Sequence, residues 1–160
     1  MKKPDTLRAA IVAAIPDLAT NPDKLMVFVD KGSIISTFAL GYSFESSYTL
    51  NIILTDYAGD PDVVWVALLM WVRVNQSELL DNVDMRDNGI TFDADILDNA
   101  KCDLSIKIKL TERVIVKQSD DGTLTITYAD EPQPEPRLTA KHWSLIANGE
   151  LLATWTAAAP

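Results

Sequence analysis

The run from Val63 to Val72, VVWVALLMWV, carries no charge and no polar side chain other than its two indoles. Asp60-Pro61-Asp62 stands directly before it. Asp60 can cap a helix, Pro61 suits a first turn, and Asp62 puts a negative charge where the helix dipole favours one. A helix from Pro61 to about Asn75 is expected, with Arg73 in its last turns. A surface helix shows one apolar stripe, and this one is apolar all round. A membrane span needs roughly 20 apolar residues, so the run is too short for one. The helix must be covered on most sides, by its own sheet and by something further. Val64, Leu68 and Trp71 share one face at helical spacing, and Val63, Val66 and Met70 share another. One face is expected to meet the sheet and the other, at least in part, a partner.

The flanking pattern supplies that sheet. Tyr48, Leu50, Ile52 and Leu54 alternate with Thr49, Asn51 and Ile53, as in a strand with one face covered by helices. Upstream, Pro4-Asp5-Thr6 opens an amphipathic helix with Leu7, Ile11, Ala14, Ile15 and Leu18 on its apolar face; Pro16 kinks or ends it and Asn21-Pro22 closes it. LMVFVD (25–30) and SIISTFAL (33–40) read as two strands of a hairpin turning at Lys31-Gly32-Ser33. Gln76 to Leu80 extends the apolar helix or forms a short turn.

Asp87-Asn88-Gly89 signals a turn, after which the chain becomes β-like. Residues 90–97 form a half-exposed strand. After a turn at 98–101, residues 102–117 alternate with Cys102, Leu104, Ile106, Ile108 and Leu110 in one phase. Thr111-Glu112-Arg113 breaks that phase and suggests a bulge or bend. Ser119-Asp120-Asp121-Gly122 turns into a strand over 124–128. EPQPEP (131–136) is an extended spacer. Beyond it Asn148-Gly149 lies between two apolar runs that carry Trp143 and Trp155, a strong hairpin signal. The fold class is therefore α+β: a mostly antiparallel sheet packed by two helices, with a C-terminal β-hairpin arm. Its parts are a core over 1–131, a Pro-rich spacer over 132–136 and the arm over 137–160.

The residues offer little chemistry. Cys102 is the only cysteine and His142 the only histidine, which leaves no intramolecular disulfide and too few soft ligands for a structural zinc site. A Cys-His nucleophilic pair is formally possible, but Cys102 sits on an apolar strand phase and His142 lies beyond the spacer. Asp81, Asp84, Asp87, Asp93, Asp95 and Asp98 crowd one region without the ligand order of a calcium loop, so a solvated polar face is the better reading. There is no glycine-rich phosphate loop and no GxSxG elbow. No catalytic, metal or cofactor residue is expected, and no cofactor. With 14 basic against 23 acidic residues, sequence-specific nucleic-acid binding is not expected either. The basic start Met1-Lys2-Lys3 is followed by Asp5, Arg8 and Asp17, not by an apolar leader, so a soluble cytoplasmic protein without membrane attachment is expected. Trp65, Trp71, Trp143 and Trp155 read as core or interface anchors.

The start MKKPDTLRAA, the blocks SFESSYTLNIILTDYAGDPD, WVRVNQSELL and ITFDADILDNAKCDLSIKIKLTERVIV, the spacer and the W…NGE…W hairpin are met in that order. In this order and over nearly the whole chain, they resemble the tail completion protein R family of P2-like contractile-tailed bacteriophages and related prophages. The resemblance implies a non-enzymatic virion assembly protein that completes the tail for head joining. By analogy with small α/β tail terminators it implies a ring of identical subunits, a homo-hexamer, contacting tail tube or sheath and neck proteins. It would occupy the host cytoplasm during assembly and the virion tail or neck afterwards. The expected subunit or partner interface comprises Val63, Val66, Met70, Trp71, Trp143, Leu145 and Trp155. Two other classes remain open at this point. One is a monomeric assembly chaperone or binding module, with the arm folded on its own sheet. The other is a small hydrolase.

Overall fold

Two long strands with strict alternation dominate the tertiary structure, a computed structural model describing residues 1–36, 41–97, 100–133 and 140–156. The elements in order are α1 (Lys3–Ala14), α2 (Asp17–Thr20), a 3-10 turn (Pro22–Lys24), β1 (Leu25–Ile35), β2 (Phe44–Tyr57) and α3 (Pro61–Asn75). There follow α4 (Glu78–Asp81), α5 (Val83–Gly89), β3 (Ile90–Leu97), β4 (Lys101–Gln118), β5 (Leu124–Tyr128), β6 (His142–Ala147) and β7 (Glu150–Thr156). All strand pairs are antiparallel. The main sheet runs β1-β2-β4-β3, with β5 also on β4, and β6-β7 form a separate two-stranded sheet. The α+β class holds; among the described residues α1 and α3 are the two long helices, with three short ones beside them.

The core follows from the alternation. Tyr48, Leu50, Ile52 and Leu54 of β2 and Leu104, Ile106, Ile108 and Leu110 of β4 are all buried. They form one apolar cluster with Leu7 and Ile11 of α1 and with Val63, Val64, Ala67, Leu68, Trp71 and Val72 of α3. Both long helices thus cover one face of the sheet. Asp60 caps α3 by accepting a hydrogen bond from the Asp62 N–H at 2.9 Å, and Pro61 is the first helical residue, as expected. Pro16 separates α1 from α2. In β6–β7 both turn residues have positive φ, 51° at Asn148 and 86° at Gly149, as a two-residue hairpin requires.

Four local expectations fail. The segment Lys31-Gly32-Ser33 is not a turn: β1 runs through it, pairing Lys31 with Thr49, Gly32 with Tyr48 and Ser33 with Ser47. The irregularity is a one-residue register shift at Asp30, between Val29 and Lys31. Gly32 is there for space, since a Cβ would come within 3.2 Å of the Tyr48 Cβ. The hairpin is therefore β1–β2, and the expected second strand over 33–40 falls partly on residues 37–40, outside the described residues. The predicted bulge at Thr111-Glu112-Arg113 is absent: β4 pairs with β2 in unbroken register from Leu104 to Val114. Glu112 keeps the inward phase and is buried. Asp87-Asn88-Gly89 closes α5 rather than forming a free turn. Pro4-Asp5-Thr6 opens α1 as expected, but the cap that Asp or Thr could be expected to supply there is not made: both lie within the first turn, and no side chain caps the helix from Lys2. Parts of the turn at 98–101, of the spacer and of the arm (residues 98–99, 134–139 and 157–160) lie outside the described residues.

Candidate functional site

The densest polar constellation lies where α1 begins. Lys2 precedes that helix and supplies no side-chain cap. The first-turn N–H groups need acceptors. Glu112 Oε1 provides one from across the fold, accepting from the Lys2 N–H at 2.8 Å, the Lys3 N–H at 2.6 Å and the Tyr48 hydroxyl at 2.9 Å. The carboxylate thus does the work of an N-cap, placed by a strand instead of by the preceding residue. Burial first, and then the Glu112 charge, push the Tyr48 phenol well above its ordinary range. Tyr48 therefore stays a donor.

A second device sits beside it. β2 and β3 flank opposite sides of β4 over Cys102–Ile108, and β2 and β5 flank opposite sides at Val114, so β3 and β5 share one side. Between them, among the described residues, β4 has no strand partner on that side, and side chains fill the gap. Gln76 Oε1 accepts from the Thr111 N–H at 3.1 Å, and Gln76 Nε2 donates to Thr111 Oγ1 at 3.0 Å. Lys3 Nζ donates to the Thr111 carbonyl at 2.6 Å, to Gln76 Oε1 at 2.7 Å and to Glu131 Oε1 at 2.7 Å. All three ammonium hydrogens are engaged, which leaves this lysine no free valence for chemistry. The cluster ties α1, α3, β4 and the start of the spacer together. Its role is positional.

Elsewhere the polar residues stay apart. Cys102 is buried on the inward phase of β4, and burial raises its thiol. His142 is exposed on β6, its Nδ1 3.1 Å from Thr156 Oγ1. The two therefore lie in different sheets. Among the described residues no three His, Cys, Asp or Glu side chains group so as to hold a metal ion, and no helix is long and apolar enough to cross a membrane.

The expected interface residues divide into two groups. Val63 and Trp71 are buried by their own chain, Trp71 donating through Nε1 to Thr6 Oγ1 at 3.2 Å. Val66 and Met70 are half-buried, on the side of α3 where Leu69 stands 44 % exposed. On the hairpin, Trp143 pairs across the strands with Trp155, and Leu145 with Ala153. Leu145, Leu152, Ala153 and Trp155 pack against the core cluster, and β7 meets α1. The arm thus lies on its own chain, with one indole N–H, that of Trp143, buried without a protein partner. A depression of about 640 Å³ runs along the seam between Leu151–Thr154 and the Ala14–Asp17 and Tyr57–Asp60 segments. The seam is incompletely packed.

Residue type and spacing alone do not show that Glu112, Lys3 and Gln76 meet, nor that Phe92 and Ile96 stay exposed. Phe92 and Ile96 lie on the core-side phase of β3, opposite Ile106 and Cys102, yet are 59 % and 90 % exposed. Glu112 had a legible signal. Counting by twos from Cys102 through Leu110 to Val114 passes through it, so a carboxylate stands where the pattern asks for an apolar residue.

The molecule therefore presents a buried polar cluster that ties its elements together, in which Glu112 Oε2 alone keeps no hydrogen-bond partner among the described residues, and exposed apolar surface on its sheet and helix. Residues 1–132 match the family model described as P2 phage tail completion protein R (GpR). The chain is 43 % identical over 155 residues to Tail completion protein R of Escherichia phage P2, covering 97 % of this chain and 99 % of that protein. No solved structure matches. The family match ends at the spacer, while the similarity to the phage P2 protein continues through the arm. On both measures this chain belongs to the P2 phage tail completion protein R family.

Proposed function

We propose that this protein completes a contractile phage tail as a non-enzymatic structural subunit, forming a closed ring of identical copies, six in number, that readies the tail for head joining. The observation that carries the reading is the near full-length similarity to Tail completion protein R of Escherichia phage P2. The surface supports it: a ring subunit needs apolar contact area, and Leu69, Phe92 and Ile96 are exposed on the flank of the sheet near α3. In this reading the chain divides into a core (1–131), a spacer (132–136) and an arm (137–160). Val63, Val66, Met70, Trp71, Trp143, Leu145 and Trp155 belong to the subunit or partner contacts, Val63 and Trp71 by backing them from within. The partners are further copies and the tail tube or sheath and neck proteins. The protein passes from the host cytoplasm into the virion tail or neck.

Native mass measured across salt and protein concentration tests the ring, which predicts a discrete oligomer. A monomer under every condition would overturn it. Deleting residues 132–160 tests the arm. If the arm serves neighbours, the core stays folded and assembly fails. Loss of folding assigns the arm to its own core.

One observation favours the second reading, a monomeric chaperone or binding module: Leu145, Leu152, Ala153 and Trp155 pack on their own core. In that case the native mass stays monomeric and the protein dissociates from finished tails.

A further inference from the structure

Among the described residues the main sheet is open at both ends: β1 pairs only with β2, and β3 only with β4. An open edge presents unpaired N–H and C=O groups and is a template for another strand. The β3 edge is also unfinished in its side chains. Its core-side phase continues the apolar rows of β4, Phe92 beside Ile106, Ala94 beside Leu104 and Ile96 beside Cys102. Ile106 is fully buried, whereas Phe92 is 59 % and Ile96 90 % exposed. The helix layer stops one strand short. From α3 Trp65 reaches over, its ring 4.6 Å from that of Phe92, and Leu69 remains exposed one turn further on.

Charge separates the two edges. The outer phase of β3 carries Asp93 and Asp95, and β3 has no cation; β1 carries Lys31 on its outer phase, beside Thr49 and then Lys109 on the central strands, and the exposed Asp30 in the register shift next to it. Pairing β3 with β3 sets aspartates against aspartates, and pairing β1 with β1 sets Lys31 near its own copy. Like charges facing each other across strands are unfavourable. Pairing β3 with β1 is the one combination that offers the aspartates a cation, in the register that sets them at Lys31 and away from Asp30. Edge charges and a register shift such as that at Asp30 are also ordinary guards against strand pairing. A guarded edge has no use for an isoleucine that is 90 % exposed, however.

We propose that β3 of one copy continues into β1 of the next, joining the sheets of neighbouring copies head to tail. The incoming copy brings α1, tied to its β1 by the Arg8 guanidinium donating to the Leu25 carbonyl at 3.0 Å. That helix covers Phe92 and Ile96. A contact between two different surfaces of one chain is the kind that closes into a ring. The proposal deepens the ring reading and rests on it.

The test compares the native mass of the wild type with that of Ile96→Lys. Because Ile96 is exposed in the monomer, the variant should keep the wild-type circular dichroism and a cooperative melt while losing the oligomer, and with it the concentration dependence of the melting point. Site-specific cross-linking adds direction. In a Cys102→Ala background, a chain carrying both Lys31→Cys and Asp95→Cys, treated with a short bis-maleimide, should give a covalent ladder ending at the ring size. Asp95→Cys alone should give no cross-linked dimer. A wild-type monomer under all conditions removes both the ring and this contact. An oligomeric wild type with an equally oligomeric Ile96→Lys removes this contact alone. Efficient dimers from Asp95→Cys alone overturn the head-to-tail pairing.

Discussion

Glu112→Leu is the substitution that most directly tests how this fold is held. The side chain is buried at an inward strand position, so leucine fits the alternation. What it removes is an acceptor for three donors, the Lys2 N–H, the Lys3 N–H and the Tyr48 hydroxyl. An orphaned buried donor costs about 1–3 kcal/mol. The Lys2 N–H is only partly buried and can recover water, so roughly two full penalties apply, about 2–6 kcal/mol in all. Burying the leucine returns about 1.5–3 kcal/mol. The middle of those ranges leaves a net loss of about 2 kcal/mol, or a melting point lower by roughly 4–8 °C for a chain of this length. Urea denaturation followed by tryptophan fluorescence measures the first, and a calorimetric scan the second. Glu112→Gln retains one acceptor oxygen but loses the charge at the helix N-terminus, and should cost about 1 kcal/mol. A double-mutant cycle with Tyr48→Phe isolates the hydroxyl, with a coupling of about 1–3 kcal/mol expected. Buried ionic groups can be replaced by apolar ones at no cost in some proteins. A Glu112→Leu variant as stable as the wild type would place this one among them and refute the cap argument.

Alkaline pH should weaken the fold. Burial, ahead of the Asp60 charge, pushes the Tyr57 phenol up to about 12, and Tyr48 is raised as well. Above the usual phenol value near 10 the unfolded chain has lost protons that the folded chain keeps, so stability falls as pH rises from about 10, by about 1.4 kcal/mol per pH unit for each retained proton. Denaturation midpoints at successive pH values should show a shallower fall in Tyr57→Phe. Gly59→Ala puts a Cβ within 2.5 Å of the Tyr57 hydroxyl oxygen and must displace that ring from its hydrogen bond to the Asp60 carbonyl. A loss of about 1–3 kcal/mol is expected in thermal melts. On α3, Leu68→Ala should cost about 2–5 kcal/mol and its neighbour Leu69→Ala under about 1 kcal/mol, because only the first vacates core. Equal effects would mean that the two faces of α3 are assigned wrongly.

Much of this architecture is legible in short-range pattern. The span and cap of α3, the inward rows of β2 and β4, the break at Pro16 and the Asn148-Gly149 hairpin depend on neighbours within a few residues, where period and turn chemistry act. The errors have a common cause. Lys31-Gly32-Ser33 resembles a turn locally, yet the glycine answers to Tyr48 on the next strand. Thr111-Glu112-Arg113 resembles a break in phase, yet the carboxylate answers to the start of α1, 109 residues away from Lys3. The interface expectation likewise stopped at α3 and the arm, because Phe92 and Ile96 look like core until it is known that the helix layer ends before β3.

The amino-acid sequence by itself determined that this chain makes a one-sided antiparallel sheet under an unusually apolar helix, because hydrophobic period and end-capping are local. Only the tertiary structure decided which inward positions are filled by charge, which edges remain open and which apolar rows go uncovered. Those depend on how far one layer extends over another, and on donors and acceptors that meet only after the chain has folded.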